Sequence, residues 1–277
     1  MQLIIPFTFN GKVYDSCGID KPKASVIADT KKNIDETGDA FSAMRILLNG
    51  CISAFNSTDG NVVSDKIAIK SLVPKLPLKT AEHLTMSMVV KHYADDDGIE
   101  GVYPCPRCGV QNIAEIVETD GMTIDTRDHI SALGVTYCDF PDLEITQEFT
   151  TPVLIENAAT KDVLYDIQSI VLKIPTLENA ISAYAKIGSR DMVRLQFAMY
   201  VEALYKVNGE SVDSKFKNSF GMALFNNVED PRKDLGELAD QINKYGVDKR
   251  VDKTCKKCGK VWRAAVNTSN FFVSGVL

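Results

Sequence analysis

Two cysteine pairs with identical spacing are the residues of this sequence best suited to chemistry. Cys105-Pro106-Arg107-Cys108-Gly109 and Cys255-Lys256-Lys257-Cys258-Gly259 each put two thiols on one tight turn, which the glycine lets the backbone complete. Strand-like residues flank each pair, so each is predicted to form the tip of a β-hairpin. Two such tips facing each other make the tetrahedral site of a zinc ribbon. The sequence therefore predicts one Zn²⁺ bound by Cys105, Cys108, Cys255 and Cys258.

The distance between the two pairs departs from that of a simple ribbon. Here 146 residues separate Cys108 from Cys255, whereas a simple ribbon has roughly 15 to 20. The gap predicts an inserted domain. The alternatives are that each pair completes a site with another chain or recruits Cys138. A site with four thiolate ligands has no open position for water, so the zinc is predicted to be structural.

Composition explains why a metal is favoured over disulfides. With 277 residues, 45% of them hydrophobic and 25% charged, the chain is long enough to bury a core without disulfides. Its seven cysteines are an odd number, and its first residues lack the pattern of a signal peptide, which leads us to expect synthesis in a reducing compartment. The isolated Cys17, Cys51 and Cys138 are predicted to be buried as small apolar residues.

Charge limits the classes of partner. A net charge of -6 and a pI near 5.2 argue against a protein whose whole surface binds phosphates. No apolar run approaches the roughly 20 residues of a membrane-spanning helix. One basic neighbourhood surrounds the second cysteine pair, and two aromatic residues lie among its cations. Such a surface is able to bind nucleic acid. The interpretation that we favour is a solvated strand face or a contact with an acidic partner subunit. The members of this neighbourhood are Lys244, Lys249, Arg250, Lys253, Lys256, Lys257, Lys260 and Arg263, with Tyr245 and Trp262.

Catalytic patterns are not found in the sequence. His83, His92 and His129 are the only histidines, and none has a spacing that binds a metal or activates a nucleophile. We find no phosphate-binding loop, no nucleophile elbow and no dinucleotide-binding glycine motif. The chain is therefore predicted not to be an enzyme and to have no small-molecule substrate.

The remaining pattern predicts an α+β fold. It consists of a zinc ribbon whose two knuckles lie on β-hairpins, a long and largely helical insert, and an N-terminal β-hairpin with helices. The predicted segments are 1–60 (hairpin and helices), 61–120 (helical segment and first knuckle), 121–245 (strand-rich, then helical insert) and 246–277 (second knuckle and tail).

Individual elements follow from periodicity and from capping residues. Asn10-Gly11 predicts a type I′ turn between two strands. Helices are predicted from Asp39 to Phe55, from Asp65 to Leu72, from an N-cap at Thr80, from Arg190 to Val207 with Ser189 as N-cap, from Asp213 to Phe225, and from Pro231 to Tyr245 after the N-cap Asp230. An extended connection is predicted at Pro74 to Pro77, and strands are predicted between Ile99 and Ile155, at Gly246 to Val251 and at Lys260 to Val266.

The order of these features resembles the baseplate hub proteins of contractile-tailed (T-even-type) bacteriophages. The resemblance runs from about Val62 to Phe272. Its motifs are Leu76-Pro77-Leu78 before a helix with Glu82 and Leu84, the first knuckle, Leu172-Lys173-Ile174-Pro175-Thr176, the second knuckle, and Asn270-Phe271-Phe272. It implies a structural or assembly protein of the virion tail baseplate, made in the host cytoplasm, that binds other hub subunits.

Three hypotheses remain open at the level of sequence. The first is a baseplate subunit that acts through protein–protein contacts and is stabilised by zinc. The second is a zinc-ribbon nucleic-acid-binding protein that uses the basic neighbourhood. The third is a tail-assembly chaperone that is absent from the mature particle.

Overall fold

The fold combines helices and antiparallel sheets. The structure, a computed structural model, describes residues 1–93, 98–99, 101–113, 116–125, 128–129, 133–157, 159–188, 191–213 and 217–266. Helices account for 39% and strands for 34%, which confirms the α+β class. The predicted tail motif Asn270-Phe271-Phe272 and the predicted N-cap Ser189 lie outside the described residues.

The chain begins with the predicted hairpin, which is confirmed. Strand β1 (Gln2–Phe9) pairs antiparallel with β2 (Lys12–Ile19), and Phe9 lies opposite Lys12. Both residues of the intervening turn have positive φ, 50° at Asn10 and 74° at Gly11, as a type I′ turn requires. Strands β3 (Ile52–Ser57) and β4 (Val62–Val63) complete a four-stranded sheet in the order β1-β2-β3-β4.

Two helices connect β2 to β3. Helix α1 (Ala24–Thr37) had no counterpart among our predicted elements, and α2 (Ala40–Cys51) begins where Asp39 accepts hydrogen bonds from two backbone N–H groups. The predicted helix to Phe55 is too long, because Ile52 to Ser57 form β3. Ile52 and Phe55 are buried in this strand, opposite Ile19 and Cys17, so pairing with β2 overrides the helical period.

The next elements lead to the first cysteine pair. The helix predicted from Asp65 to Leu72 is present as α3 (Lys66–Leu72), and Asp65 is its N-cap. A short 3₁₀ turn at Val73–Lys75 occupies part of the connection that we predicted to be extended. Helix α4 (Leu78–Tyr93) starts two residues before the predicted N-cap Thr80, whose hydroxyl instead binds the backbone of β1.

Short strands follow α4 in antiparallel pairs. These are β5 (Gly98–Ile99) with β10 (Asp128–His129), β6 (Val102–Pro104) with β7 (Gln111–Ile113), β8 (Ile116–Thr119) with β9 (Met122–Asp125), and β11 (Val135–Thr136) with β16 (Gly246–Val247).

A second four-stranded sheet lies between the two cysteine pairs. Its strands, in the order β12-β13-β14-β15, are β12 (Glu144–Glu156), β13 (Val163–Lys173), β14 (Leu204–Val207) and β15 (Glu210–Ser211). The insert is therefore a mixture of sheet and helix rather than largely helical. The long alternating pattern of β12, with Ile145, Gln147 and Phe149 buried, is typical of a strand with one covered face.

The described part of the insert also contains four helices. They are α5 (Leu177–Ile187), α6 (Met192–Ala203), α7 (Lys217–Asn226) and α8 (Gly236–Asn243), the last preceded by a π-helical turn at Pro231–Leu235. The predicted helix from Arg190 to Val207 is too long, because Leu204 to Val207 pair with β13 as β14. The predicted N-cap Asp230 is confirmed, since its carboxylate accepts from the N–H of Lys233. The chain then forms β17 (Arg250–Thr254) and β18 (Val261–Ala265).

Strand β1 lies between two hydrophobic clusters. Leu3 and Phe7 pack in one cluster with α2, α4 and β3, whereas Ile4 and Ile5 pack in the other with β12, β13 and α6. A continuous apolar run is typical of a strand that is buried on both faces. The helices described include none with both the length and the apolar composition that a membrane span needs.

The hydroxyl of Thr80 joins α4 to β1. It accepts from the N–H of Ile5 at 3.0 Å and donates to the Ile5 carbonyl at 3.2 Å, and both residues are buried. Thr85, on the same helix, is also buried, but its hydroxyl has no hydrogen-bond partner among the described residues.

We predict that Thr80→Val lowers the free energy of unfolding by about 1–3 kcal/mol, because it leaves two buried backbone groups of Ile5 unpaired. The matched control Thr85→Val removes a hydroxyl that makes no hydrogen bond, so it should leave stability unchanged or raise it. Urea unfolding of the two variants measures both effects. Equal losses in the two variants would contradict this account of Thr80.

Candidate metal centre

The first cysteine pair lies at the tip of the β6–β7 hairpin, as predicted. The N–H of Cys105 donates to the carbonyl of Val110 at 2.9 Å, and the N–H of Gly109 donates to the carbonyl of Cys105 at 2.9 Å. Gly109 has a φ of 70°, in the left-handed region where a side chain is disfavoured. These bonds turn the chain tightly enough to direct both sulfurs to the same side of the tip.

The second pair repeats this arrangement at the tip of the β17–β18 hairpin. The N–H of Cys255 donates to the carbonyl of Lys260 at 2.9 Å, and the N–H of Gly259 donates to the carbonyl of Cys255 at 2.9 Å. Gly259 has a φ of 67°. The shared Cys-x-x-Cys-Gly pattern thus specifies the same backbone turn twice.

The two tips meet, and their four sulfurs form one cluster. The Sγ atoms of Cys105 and Cys258 are 3.7 Å apart, and those of Cys108 and Cys255 are 3.6 Å apart. All four sulfur atoms lie within 4.8 Å of one another. These distances are far above the S–S bond length of about 2.05 Å. Four sulfurs about 2.3 Å from a central zinc would lie about 3.8 Å apart, so a metal ion of that size fits.

Hydrogen bonds and burial shift the pKa values of Cys105, Cys108 and Cys255 in different directions. The N–H groups of Cys258 and Lys257 lower the pKa of Cys255 to about 6. Burial opposes ionisation of Cys105, but the N–H groups of Cys108 and Arg107 lower its pKa below the ordinary value. For Cys108 the Val110 N–H lowers the pKa, yet burial and the three surrounding sulfurs raise it to about 11. Cys255 and Cys105 therefore favour the thiolate form, whose charge a bound cation would neutralise.

Asn112 connects the two hairpins beside the cluster. Its Oδ1 accepts from the N–H of Lys256 at 3.0 Å, across the junction between the tips. Its Nδ2 donates to the carbonyls of Val110 at 3.1 Å and Tyr103 at 3.3 Å. This buried residue was not among our predicted site residues. The only signal in the sequence was the alternation of the strand, which turns the Asn112 side chain inward between the exposed Gln111 and Ile113.

A second contact between the hairpins is a cation–π interaction. The Nζ of Lys253 lies 4.6 Å from the centre of the Tyr103 ring. Together with the Asn112 bond to Lys256, it links the two tips through contacts that do not involve the sulfurs.

The basic neighbourhood predicted around the second pair is partly neutralised within the chain. Lys249 forms an ion pair with Glu82 at 3.1 Å. Burial acts to raise the pKa of the Glu82 carboxyl, but the charges of Lys249 and Lys79 outweigh it and lower that pKa below its ordinary value. Arg250 and Arg263 both bind Asp248, at 2.8 and 3.3 Å. The first hairpin adds Arg107, which is exposed, as are Lys257 and Lys260 of the second tip. Exposed cations are thus present at both tips.

The remaining thiols and histidines are separate from this site. Cys17, Cys51 and Cys138 are buried, as predicted, and burial raises the pKa of Cys17 and of Cys51 to about 11. Among the described residues, the only cluster able to hold a metal is the four-cysteine one, so Cys138 is not recruited. His83 is buried, which lowers its pKa.

Comparison with known proteins gives no family assignment. Family models, curated proteins and solved structures were compared with the chain, and none matches. The chemistry of the site therefore has to be argued from its own residues, and four clustered sulfurs are a set of ligands that could bind a metal ion.

We predict that Asn112→Ala weakens metal binding by about 10- to 100-fold, because the Lys256 N–H loses its acceptor and the tips are no longer held in register. Competition with a chromophoric chelator for Zn²⁺ measures the affinity. The matched control is Gln111→Ala, an exposed neighbour on the same strand. Equal affinities in the two variants would show that Asn112 does not position the sulfurs.

Proposed function

We propose that Cys105, Cys108, Cys255 and Cys258 bind one structural Zn²⁺ in a site of the zinc-ribbon type. The observation that carries this proposal is the convergence of four sulfurs, from two identically hydrogen-bonded turns, within 4.8 Å. Tetrahedral sites of four thiolates are typical of zinc and of iron–sulfur centres. Two Cys-x-x-Cys-Gly hairpins in a chain without other metal-binding motifs favour zinc.

Such a zinc would hold the fold together rather than take part in a reaction. Four protein ligands fill its coordination sphere, which excludes water and substrate. Structural zinc contributes on the order of 10 kcal/mol to folding. Because 146 residues separate the two pairs, the cross-link would also restrict the unfolded chain, by roughly 5 kcal/mol in the chain-entropy model.

We further propose that the protein stabilised by this zinc site is a structural subunit of a contractile-tail baseplate hub. It would be part of the virion and be assembled in the host cytoplasm. Support comes from the resemblance of its motifs. Two of these motifs, about 100 residues apart, contact each other: the N–H of Leu78 donates to the carbonyl of Pro175 at 2.8 Å, and the N–H of Leu177 to that of Leu76 at 2.9 Å. This pairing gives the short motifs a common structural role.

The proposed mode of action is binding to other tail subunits. A fold with two hydrophobic clusters, a cysteine cross-link site and exposed apolar side chains suits a component of an assembly. Among the described residues, the metal cluster contains cysteines and no histidine, so it gives no indication of a catalytic site. Nucleic acid is the second candidate partner. The observation in its favour is that the fold adds Arg107 to Lys257 and Lys260 at the tips.

We predict one zinc per chain by elemental analysis, and loss of both zinc and cooperative unfolding in Cys105→Ser and in Cys258→Ser. A chelator should reproduce this loss in the unmodified protein. Cys138→Ala, which removes a buried thiol outside the cluster, is the matched control and should keep its zinc. A metal-free protein prepared under reducing, chelator-free conditions would overturn the proposal, and iron in place of zinc would correct the metal.

We predict that mass spectrometry detects the chain, in few copies, in purified particles of the phage that encodes it. Its absence from finished particles would instead identify an assembly chaperone.

A salt series of DNA and RNA binding separates the second candidate. Only weak binding is expected at physiological salt, and Lys257→Gln with Lys260→Gln should change it no more than the exposed control pair Lys21→Gln with Lys23→Gln. Sub-micromolar affinity with a steep salt dependence, lost only in the Lys257 and Lys260 variant, would overturn the structural proposal.

A further inference from the structure

The four sulfurs of the cysteine cluster differ in their access to solvent. Cys105 and Cys255, the first cysteine of each pair, are each 2% exposed. Cys108 is exposed, and the exposure of Cys258 is intermediate. The cluster therefore has an inner side that solvent hardly reaches and an outer side, at Cys108, that small reagents can reach.

The outer side of the cluster is electropositive. Residues 104–110 and 254–260, which form the two tips, contain four cations and no acidic residue. Reactive cysteines lie at accessible positions in electropositive surroundings, whereas buried structural thiols are inert. Cys108 meets both conditions for reaction. The four cations are Arg107, Lys256, Lys257 and Lys260, and all of them are exposed.

Cys255 lies next to Cys108 on the opposite hairpin. Their Sγ atoms are 3.6 Å apart, and sulfurs in a disulfide are about 2.05 Å apart, so a shift of about 1.5 Å joins them. The hydrogen bond between Asn112 and the N–H of Lys256 crosses the same junction and involves neither sulfur nor metal. An oxidised Cys108 therefore has a thiol of the other hairpin beside it, which is the arrangement of a reactive and a resolving cysteine.

We propose that Cys108 is a modification site, at which oxidation by peroxide exchanges the zinc cross-link between the two hairpins for a Cys108–Cys255 disulfide. The inference rests on the proposed zinc site, because the reaction starts from the loaded cluster. It does not depend on the proposed place in a baseplate.

Two steps of thiol chemistry complete this exchange. The thiolate of Cys108 attacks one oxygen of hydrogen peroxide, so that an S–O bond forms, the O–O bond breaks, hydroxide leaves and Cys108 becomes a sulfenic acid. The thiolate of Cys255 then attacks that sulfur, so that the S–S bond forms and a second hydroxide leaves. Peroxide thus accepts the two electrons that the two sulfurs lose. Cys105 and Cys258 stay reduced, but two thiolates do not make the four-ligand site that holds a structural zinc, so zinc is released.

Stepwise oxidation of the full-length protein, with its zinc content measured beforehand, tests the proposal. Hydrogen peroxide is added in increments, and a chromophoric chelator, run also without peroxide, measures the zinc released. Remaining thiols are alkylated, and mass spectrometry of the peptides maps the disulfides. We expect one zinc released for each Cys108–Cys255 disulfide formed. The buried Cys17, Cys51 and Cys138 are internal controls and should stay reduced.

A second reagent tests access to Cys108 without oxidation. Limiting N-ethylmaleimide, added to the zinc-loaded protein, should modify Cys108 before any other cysteine. Peptide mapping at early times identifies the modified residue. Because maleimide forms a thioether and no disulfide, this measurement separates the exposure of Cys108 from the position of Cys255.

The exchange also predicts which metal-free form keeps its cooperative unfolding. The oxidised protein should unfold cooperatively, because the disulfide still joins the hairpins, whereas the reduced protein treated with a chelator should not. A thiol reductant added to the oxidised, metal-free protein should abolish the cooperative transition, and Zn²⁺ added afterwards should restore it. Urea unfolding of the four samples measures these differences.

The failure of this inference is distinguishable from the failure of the zinc site. The inference is overturned if a cysteine other than Cys108 reacts first, if the first disulfide lies within one pair or between two chains, or if zinc leaves without a disulfide. A protein that contains no zinc before peroxide is added overturns the proposed zinc site, and this inference with it.

Discussion

Bringing four thiols within 4.8 Å of one another is the constraint that both cysteine hairpins have to satisfy. Sulfurs within 4.8 Å of one another cannot all become thiolates unless a cation lies among them, because like charges at this distance repel strongly. The backbone N–H groups at each tip already favour thiolate at Cys255 and Cys105. The turns prepare the ligands, and the junction between the hairpins brings them together. A metal would add its binding energy to an arrangement that the polypeptide has largely formed.

The junction is reinforced by ordinary polar contacts. Asn112 and the Lys253–Tyr103 pair hold the tips in register, while the ion pair between Lys249 and Glu82 ties the second hairpin to α4. Helix α4 in turn binds β1 through Thr80, and β1 separates the two hydrophobic clusters. The cysteine site is thus connected to both cores through a short series of contacts.

Sequence patterns predicted the parts of this structure that depend on local chemistry. Asn10-Gly11 specified its turn, Asp65 and Asp230 specified helix starts, and the repeated glycine after each cysteine pair specified two identical tips. Prediction failed where distant residues decide. Ile52 and Phe55 fit a helix until β2 is placed beside them, and Leu204 to Val207 fit α6 until β13 is present. Asn112 matters only because Lys256, 144 residues away, lies next to it, and no local pattern contains that information.

The wide separation of the two cysteine pairs also has a consequence in time. During synthesis Cys105 and Cys108 leave the ribosome 150 and 147 residues ahead of Cys255, a delay of about 7–30 s at about 5–20 residues per second. Throughout this interval the first pair has no partner hairpin, and its thiols are exposed to oxidation and to exchange with other thiols. Correct assembly of the site therefore requires that the first pair of thiols stay reduced until the second pair has been made.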